Sequence, residues 1–553
     1  LNDRSNKKHM REMLKKNFKN IDLVIVNFYP FHEVTKNKNQ KKIIENIDIG
    51  GPTMVRAAAK NFKNVSIITN TGDYDELIRE LRRHNGDTSL KFRENLARKA
   101  FSQTSYYDSI ISNWFNKKLN IKFPEIRTIY GKKISQLRYG ENPHQQGSLY
   151  LIDENLGLKK IKGKSLSFNN YNDIFTGLEI LGSFKKPGTV IIKHANPSGA
   201  STNGSPIRTF EESFDCDPVS AFGGVVVCNF KITKKIARKM SSIFFEVILF
   251  KGIEKEALKI FEAKKNLILI DISKFKNQIG QQIKYFNNSF LVQDQNSKVI
   301  DNKKIKFVTK LKPNKKELKY AEFALNICKY VKSNSIVITK EFSTIGIGAG
   351  QPSRLDSCKI ATQKASKFQI KKLKNSIAAS DAFFPFADGV KKLIKSGVKL
   401  IIQPGGSIRD KESIEVANKA KIKMIFTNLI ETNLRTIIFG QNIEYYQRLD
   451  STNKEAWELI DSNEAHHGMV IITDNQLAGK GRNGNSWFMS PSKGLALSVV
   501  LTKAMPLNQA KLIPLAAGLS VAKALENRGC NPTLKWPNDI LLNGMKTGGI
   551  LCE

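Results

Sequence analysis

Two apolar runs, Thr189-Val190-Ile191-Ile192 and Gly223-Gly224-Val225-Val226-Val227, border corners that carry glycine or proline. Runs of β-branched residues punctuated in this way predict buried strands. Similar runs occur at Leu23 to Val26 and Val65 to Ile68, and they alternate with helical stretches at Asp75 to Arg83 and Lys91 to Trp114. The chain is therefore expected to be α/β. At roughly 150 residues per domain, 553 residues suggest three or four domains, each able to bury a core. We place boundaries at 1–128, 129–440 and 441–553. The last region has expected strands at Met469 to Thr473 and Ala496 to Leu501 and a helix from about Leu507 to Arg528. The lysine-rich stretches Lys255 to Lys265 and Lys303 to Lys316 are expected to be solvated surface or insertions, and no internal repeat is visible.

The composition, 41% hydrophobic and 25% charged, is that of a globular protein rather than a disordered one. No apolar run approaches the roughly 20 residues that span a bilayer, and the N-terminus has no apolar signal segment. It also lacks Met, so the chain is expected to be a fragment. The six cysteines are scattered, without zinc-site spacing, which points to a reduced, cytoplasmic enzyme without a protein metal site. The net charge of +39 raises nucleic-acid binding as an alternative. The lysines are spread along the chain rather than gathered in one tail or stripe, so a compositional bias explains them better. Phosphorylated substrates would still meet a favourable field.

Three clusters in the middle carry chemistry. They are Leu137-Arg138-Tyr139-Gly140-Glu141-Asn142-Pro143-His144-Gln145, Lys193-His194-Ala195-Asn196-Pro197-Ser198-Gly199, and Ser380-Asp381-Ala382-Phe383-Phe384-Pro385-Phe386 followed by Gln403-Pro404-Gly405-Gly406-Ser407. Lys-His at a strand end before a Pro/Gly turn is a plausible site. A neutral His can act as a base near pH 7, and an adjacent Lys can neutralise developing negative charge. The same residues could equally be a half-buried His in an ordinary turn.

Taken together with Asp217 to Gly224, Lys332 to Ser335 and Ile345 to Gln351, these clusters resemble the transformylase part of the bifunctional enzyme family that completes purine ring synthesis. The resemblance implies a cytidine-deaminase-like domain that moves a formyl group from 10-formyltetrahydrofolate to the aminoimidazole carboxamide ribotide, AICAR. It implies His194 as base and Lys193 as oxyanion stabiliser or proton shuttle. Arg138 would hold the substrate phosphate, Tyr139 and His144 the nucleotide, and Asn334 and Asp381 the reacting groups and folate. A homodimer is also implied. Ser198 stands where many bacterial relatives have Cys. The family's closing Arg-aromatic-His tail is altered after Asn428.

Upstream, Asp22 to Phe31, Ile44 to Thr53 and Arg56 to Asn61 resemble the inosinate cyclohydrolase domain of the same family, whose fold is like methylglyoxal synthase. The resemblance implies Tyr29, Asp48 and Lys60 as catalytic groups, acting on formyl-AICAR without a cofactor. Gly50, Gly51 and Thr53 open a helix whose amides could approach a phosphate. The family's first strand and phosphate loop precede the chain's start, so ring closure is expected to be weak or lost.

Gly479-Lys480-Gly481-Arg482-Asn483-Gly484 matches G-x-G-x-x-G, but no helix is expected after it, which argues against a dinucleotide fold. With Ser451, Thr452, Asn453, Gln476, Trp487, Lys535 to Asp539 and Lys546 to Leu551, this stretch resembles the catalytic domain of biotin–protein ligases, related to class II tRNA synthetases. The resemblance implies biotin, ATP and Mg²⁺, and a biotin carrier protein as partner. Lys546 would neutralise the biotin carboxylate and α-phosphate. Ser451, Thr452 and Gln476 would bind the biotin ring, while Lys480 and Arg482 supply charge. Trp487 and Trp536 would pack on the ligands, Lys535 would join the biotin/ATP site, and Asn538 and Asp539 would meet the nucleotide and its Mg²⁺. The chain is therefore expected to join a purine-synthesis enzyme to part of a ligase, near Arg435 to Arg448. A natural fusion and an incomplete reading frame both fit.

Overall fold

A computed structural model describes residues 2–553, apart from 37–38, 153–154, 278–279, 297–299, 301–304, 408, 428–437, 441, 447, 482–483 and 491–493. The altered tail after Asn428 as far as residue 437, part of the expected joint, and Arg482 thus lie outside the described residues. The chain divides into two compact units. The first comprises Leu1–Leu158, Ser165–Tyr171 and Lys274–Lys276, and the second holds the rest.

In the first unit, Leu23–Ile25 pairs in parallel with Ser66–Ile68. The expected helices are present as Tyr74–Arg83 and Leu90–Lys118. Val55, Ala58, Ile67, Leu77, Leu96 and Ala100 close the core between helices and strands.

The second unit is built on a twelve-stranded sheet. Its centre is two hairpins, Thr189–Lys193 with Asn196–Ser201, and Ile336–Lys340 with Ser343–Gly348, joined through Ser343 opposite Ser201. Outward from the first run Val225–Cys228, Val247–Phe250 and Ile268–Asp271, mutually parallel. Outward from the second run Ser376–Ser380, Val398–Gln403 and Lys423–Phe426, also mutually parallel. Antiparallel edge strands, Lys159–Lys162 and Lys306–Phe307, finish each side. Each half therefore follows one plan: helix, hairpin, helix, then strands alternating with helices. This duplication is compatible with a sequence in which no repeat is visible. It resides in topology, so residue identities do not reveal it.

The central strands are buried on both faces, which is why they read as continuous Val/Ile runs rather than alternating ones. Each half has its own core. Ile191, Phe210, Ile248 and Phe261 belong to one; Ile338, Ile345, Phe384 and Met424 belong to the other. Each such side chain contributes about 1.5–3 kcal/mol by leaving water.

Two expectations are refined. Lys255–Glu262 is a surface helix whose lysines are exposed, as expected, but whose Ala257 and Phe261 are fully buried. The expected helix from Leu507 is two, Leu507–Ala510 and Ile513–Glu526, with Pro514 in the first turn of the second. C-terminally, Ile443–Tyr446, Val470–Thr473 and Ala496–Val499 form one sheet, and Pro532–Lys535, Asp539–Leu542 and Met545–Gly549 another. Among the described residues, no helix is long and apolar enough to cross a membrane.

Candidate active site

Lys193 and Asn196 face each other across the hairpin, so His194 and Ala195 alone make the turn. Both have left-handed backbones, with φ of 53° and 54°. A two-residue turn that follows the sheet's twist needs positive φ at both positions and normally uses Asn-Gly or Asp-Gly. His-Ala lacks that ease, and each such residue costs about 1–3 kcal/mol. The turn projects the exposed His194 from the end of the sheet. Lys193 Nζ donates to the Gly223 carbonyl at 2.7 Å, which fixes the ammonium beside the next strand. The buried Asp173, on the helix Phe168–Gly182, accepts the Ala195 N–H at 2.6 Å. Burial pushes its carboxyl above the usual carboxylate range, against the opposing pull of the Ala195 amide.

Strand register brings a second cluster to the same end. Asn334 precedes Ile336, Asp381 follows Ser380, and Ile336 lies opposite Ser380. Arg354, at the start of the helix Arg354–Leu373, joins them. Its Nη1 donates to Asp381 and to Ser380 Oγ, and its Nη2 donates to Asn334 Oδ1 at 2.6 Å. Asn334 Nδ2 donates to the Gln351 and Pro352 carbonyls. Burial would raise the Asp381 carboxyl, but hydrogen bonds from Arg354, Ser333 and the Ser335 N–H outweigh it and hold the group below its ordinary value. The two clusters are tied together, since Asn196 Oδ1 accepts the Lys332 N–H at 3.1 Å.

In the first unit, Arg138 Nη2 donates to Tyr139 Oη at 3.0 Å and its guanidinium lies over that ring. His144 is exposed in the following turn. Asp48 accepts the Gly51 N–H at 2.7 Å, and its own N–H donates to Tyr107 Oη at 2.8 Å. Asp48 thus holds an amide in the first turn of the helix Gly50–Lys60, one residue before its N-cap Ile49. Thr53 Oγ1 donates back to the Ile49 carbonyl. Tyr29 and Lys60 are exposed.

In the C-terminal region, Gly479–Lys480 pairs with Ser486–Trp487 as a hairpin, and Gly481 N–H donates to the Asn485 carbonyl at 2.6 Å. A strand, Ser486–Trp487, rather than a helix follows the glycine segment, as expected. Gln476 Oε1 accepts from the Thr452 N–H at 2.9 Å and from its hydroxyl. Ser451 caps the helix Thr452–Asp461, and Asn453 Oδ1 accepts from Ser498. Lys546 Nζ pairs with Asp539 at 2.6 Å and lies 5.5 Å from the Trp487 ring centre. Asn538 Nδ2 donates to the Ile550 carbonyl. Lys535 and Trp536 are exposed.

Residues 58–364 match the family described as the AICARFT/IMPCHase bienzyme. The bifunctional purine biosynthesis protein PurH of Bradyrhizobium diazoefficiens is 42% identical over 440 residues, covering 77% of this chain and 83% of that protein. Its counterpart from Persephonella marina is 42% identical over 437 residues, covering 77% and 84%. The chain belongs to the AICARFT/IMPCHase bienzyme family. Residues 445–553 match a second family, described as biotin/lipoate A/B protein ligases. The biotin protein ligase from Aquifex aeolicus in complex with biotin and ATP is 34% identical over 20% of this chain and 47% of that one, at a TM-score of 0.18. The chain thus spans about half the length of that ligase.

Within the bienzyme assignment, Lys193, His194, Asn334 and Asp381 converge on one sheet end. Three neighbours were missed. Arg354 follows directly on the Ile345 to Gln351 cluster but reads as a surface helix start. Asn196 lies inside the Lys193 to Gly199 cluster, where its residue type alone implies no role. Asp173 gave no local signal.

Proposed function

We propose that the sheet-end centre transfers the formyl group of 10-formyltetrahydrofolate to the exocyclic amine of AICAR. The observation that carries this reading is the shared position of Lys193, His194 and the Asn334–Arg354–Asp381 cluster at one end of the sheet, tied by Asn196 and Lys332. The carboxamide withdraws electrons from the amine, so attack requires proton removal. His194 takes that proton as the amine nitrogen bonds to the formyl carbon. The formyl oxygen becomes an oxyanion, which Lys193 stabilises with a donor not used by Gly223. The carbon–nitrogen bond to the folate then breaks, and a proton passes to the folate nitrogen. Asn334 and Asp381 orient the reacting groups.

The same reading assigns residues 1–128 to ring closure of formyl-AICAR with loss of water, through Tyr29, Asp48 and Lys60. Residues 129–440 carry formyl transfer, with Arg138, Tyr139 and His144 for the nucleotide. Arg138 suits a phosphate through its planar donor fork. Residues 441–553 are read as ligase, forming biotinyl-adenylate and pyrophosphate from biotin and ATP before transfer to a carrier lysine. Lys546 and Gln476 support that reading. Asp539 is committed to Lys546, and no cluster of three metal-ligating residues occurs among the described residues, so no step is assigned to Mg²⁺. A cytoplasmic homodimer completes the proposal. Folate-dependent formylation by the wild type and its loss in His194→Ala would support the central claim, and no activity in either would sink it.

A further inference from the structure

We propose that Asp173 is the positioning residue for His194, holding the strained turn that presents the imidazole. The inference rests on the formyl-transfer reading of this centre. His194 and Ala195 are both left-handed without being Gly, Asn or Asp, so the turn has little intrinsic preference for its shape. Something outside the turn must hold it. Asp173 is 8% exposed, and its Oδ1 takes the Ala195 N–H at 2.6 Å, with a further backbone interaction from His194. On the other side, Asn196 Nδ2 donates to the His194 carbonyl at 3.2 Å. The peptide unit between His194 and Ala195 is therefore held at both polar groups, its N–H by the helix and its carbonyl by the returning strand. The helix carrying Asp173 lies against the sheet closely enough that a Cβ on Gly177 would crowd Val227, which makes it a rigid base for the contact.

This arrangement acts on the orientation of the base and not on nucleotide affinity. Misplacing a reacting group by about 1 Å can cost about 100-fold in rate. Asp173→Ala in the full chain is expected to lower kcat by about that factor, with the KM for AICAR unchanged. Asp173→Asn keeps an oxygen acceptor at the same place and is expected to recover most of the loss. Glycine adopts positive φ without strain, so Ala195→Gly added to Asp173→Ala should also restore activity in part. Hydrogen exchange of the segment 190–198 provides a readout independent of turnover. Protection of the Ala195 amide should vanish in Asp173→Ala and persist in Asp173→Asn. Wild-type kcat in Asp173→Ala, an Asn variant as impaired as Ala, or unchanged exchange would each overturn the proposal. Should the wild type fail to formylate, the formyl-transfer reading fails, while the exchange data still decide whether Asp173 holds the turn.

Discussion

Arg354 holds Asn334 and Asp381 in one arrangement, donating to the amide oxygen of the first at 2.6 Å and to the carboxylate of the second. Both arginine and aspartate side chains are largely removed from solvent, at 7% and 15% exposure. Removing one partner of a buried pair leaves the other charge uncompensated, which typically costs about 3–5 kcal/mol. Arg354→Ala should therefore lower stability by that amount and abolish formyl transfer. Arg354→Lys keeps the charge but not the fork, so it should retain fold better than activity. Denaturant unfolding beside the formylation assay checks this, and an Ala variant of wild-type stability would contradict it.

The same pair predicts a pH dependence. The folded Asp381 carboxyl lies below its ordinary value of 3.8 because hydrogen bonds to the charged form outweigh burial. A depressed folded value means that ionised Asp381 stabilises the fold fully above the unfolded value. That stabilisation is lost as pH falls below about 4 and on through the folded value. Unfolding midpoints measured from pH 7 to pH 3 should fall more steeply in the wild type than in Asp381→Asn at the acid end. Parallel curves would show that the carboxylate contributes nothing there.

The parts of the fold that could be read in advance were those fixed by local pattern. Val190 to Ile192 and Val225 to Val227 announce buried strands because β-branched runs between corners have few other uses. The helix Lys255–Glu262 was hidden because lysines surround the two residues it buries, Ala257 and Phe261. The turn is expected at Pro197 to Gly199, which instead lie in the returning strand; it falls earlier, at His194-Ala195, because its support comes from Asp173, 22 residues before Ala195. The duplicated plan was invisible for a related reason. The two hairpins turn through unrelated residues, His194-Ala195 and Glu341-Phe342. Arg354 escaped because a charged residue at a helix start ordinarily faces water, and only the crossing of helix and sheet buries it.

That crossing depends on missing side chains. A Cβ on Gly348 would collide with the Ser357 carbonyl, and one on Gly346 with the Ala361 carbonyl, so the helix Arg354–Leu373 could not lie where it does. Overpacking of this kind costs about 1–3 kcal/mol or more. Gly348→Ala should fall in that range and displace Arg354, lowering formyl transfer beyond the stability loss. Gly280→Ala, where a Cβ would meet nothing within 4 Å, should leave unfolding within about 0.5 kcal/mol of the wild type. Equal effects at the two sites would mean that close packing is not what seats the helix.

Lys546 offers a separate test of the C-terminal region. Its ion pair with Asp539 is 2.6 Å long, but the lysine side chain is 46% exposed. Such a pair contributes about 0–1 kcal/mol, so Lys546→Ala should scarcely change unfolding. Its place between Asp539 and the Trp487 ring suits a charge that meets an anionic ligand. Binding of biotinyl-adenylate, followed by Trp487 fluorescence, should therefore weaken strongly in Lys546→Ala and partly in Lys546→Arg, which keeps the charge. Asp539→Asn frees the lysine without removing it and should bind at least as well as the wild type. If Lys546→Ala instead unfolded the region, or bound the adenylate normally, the lysine would be a structural strut and the ligand would lie elsewhere.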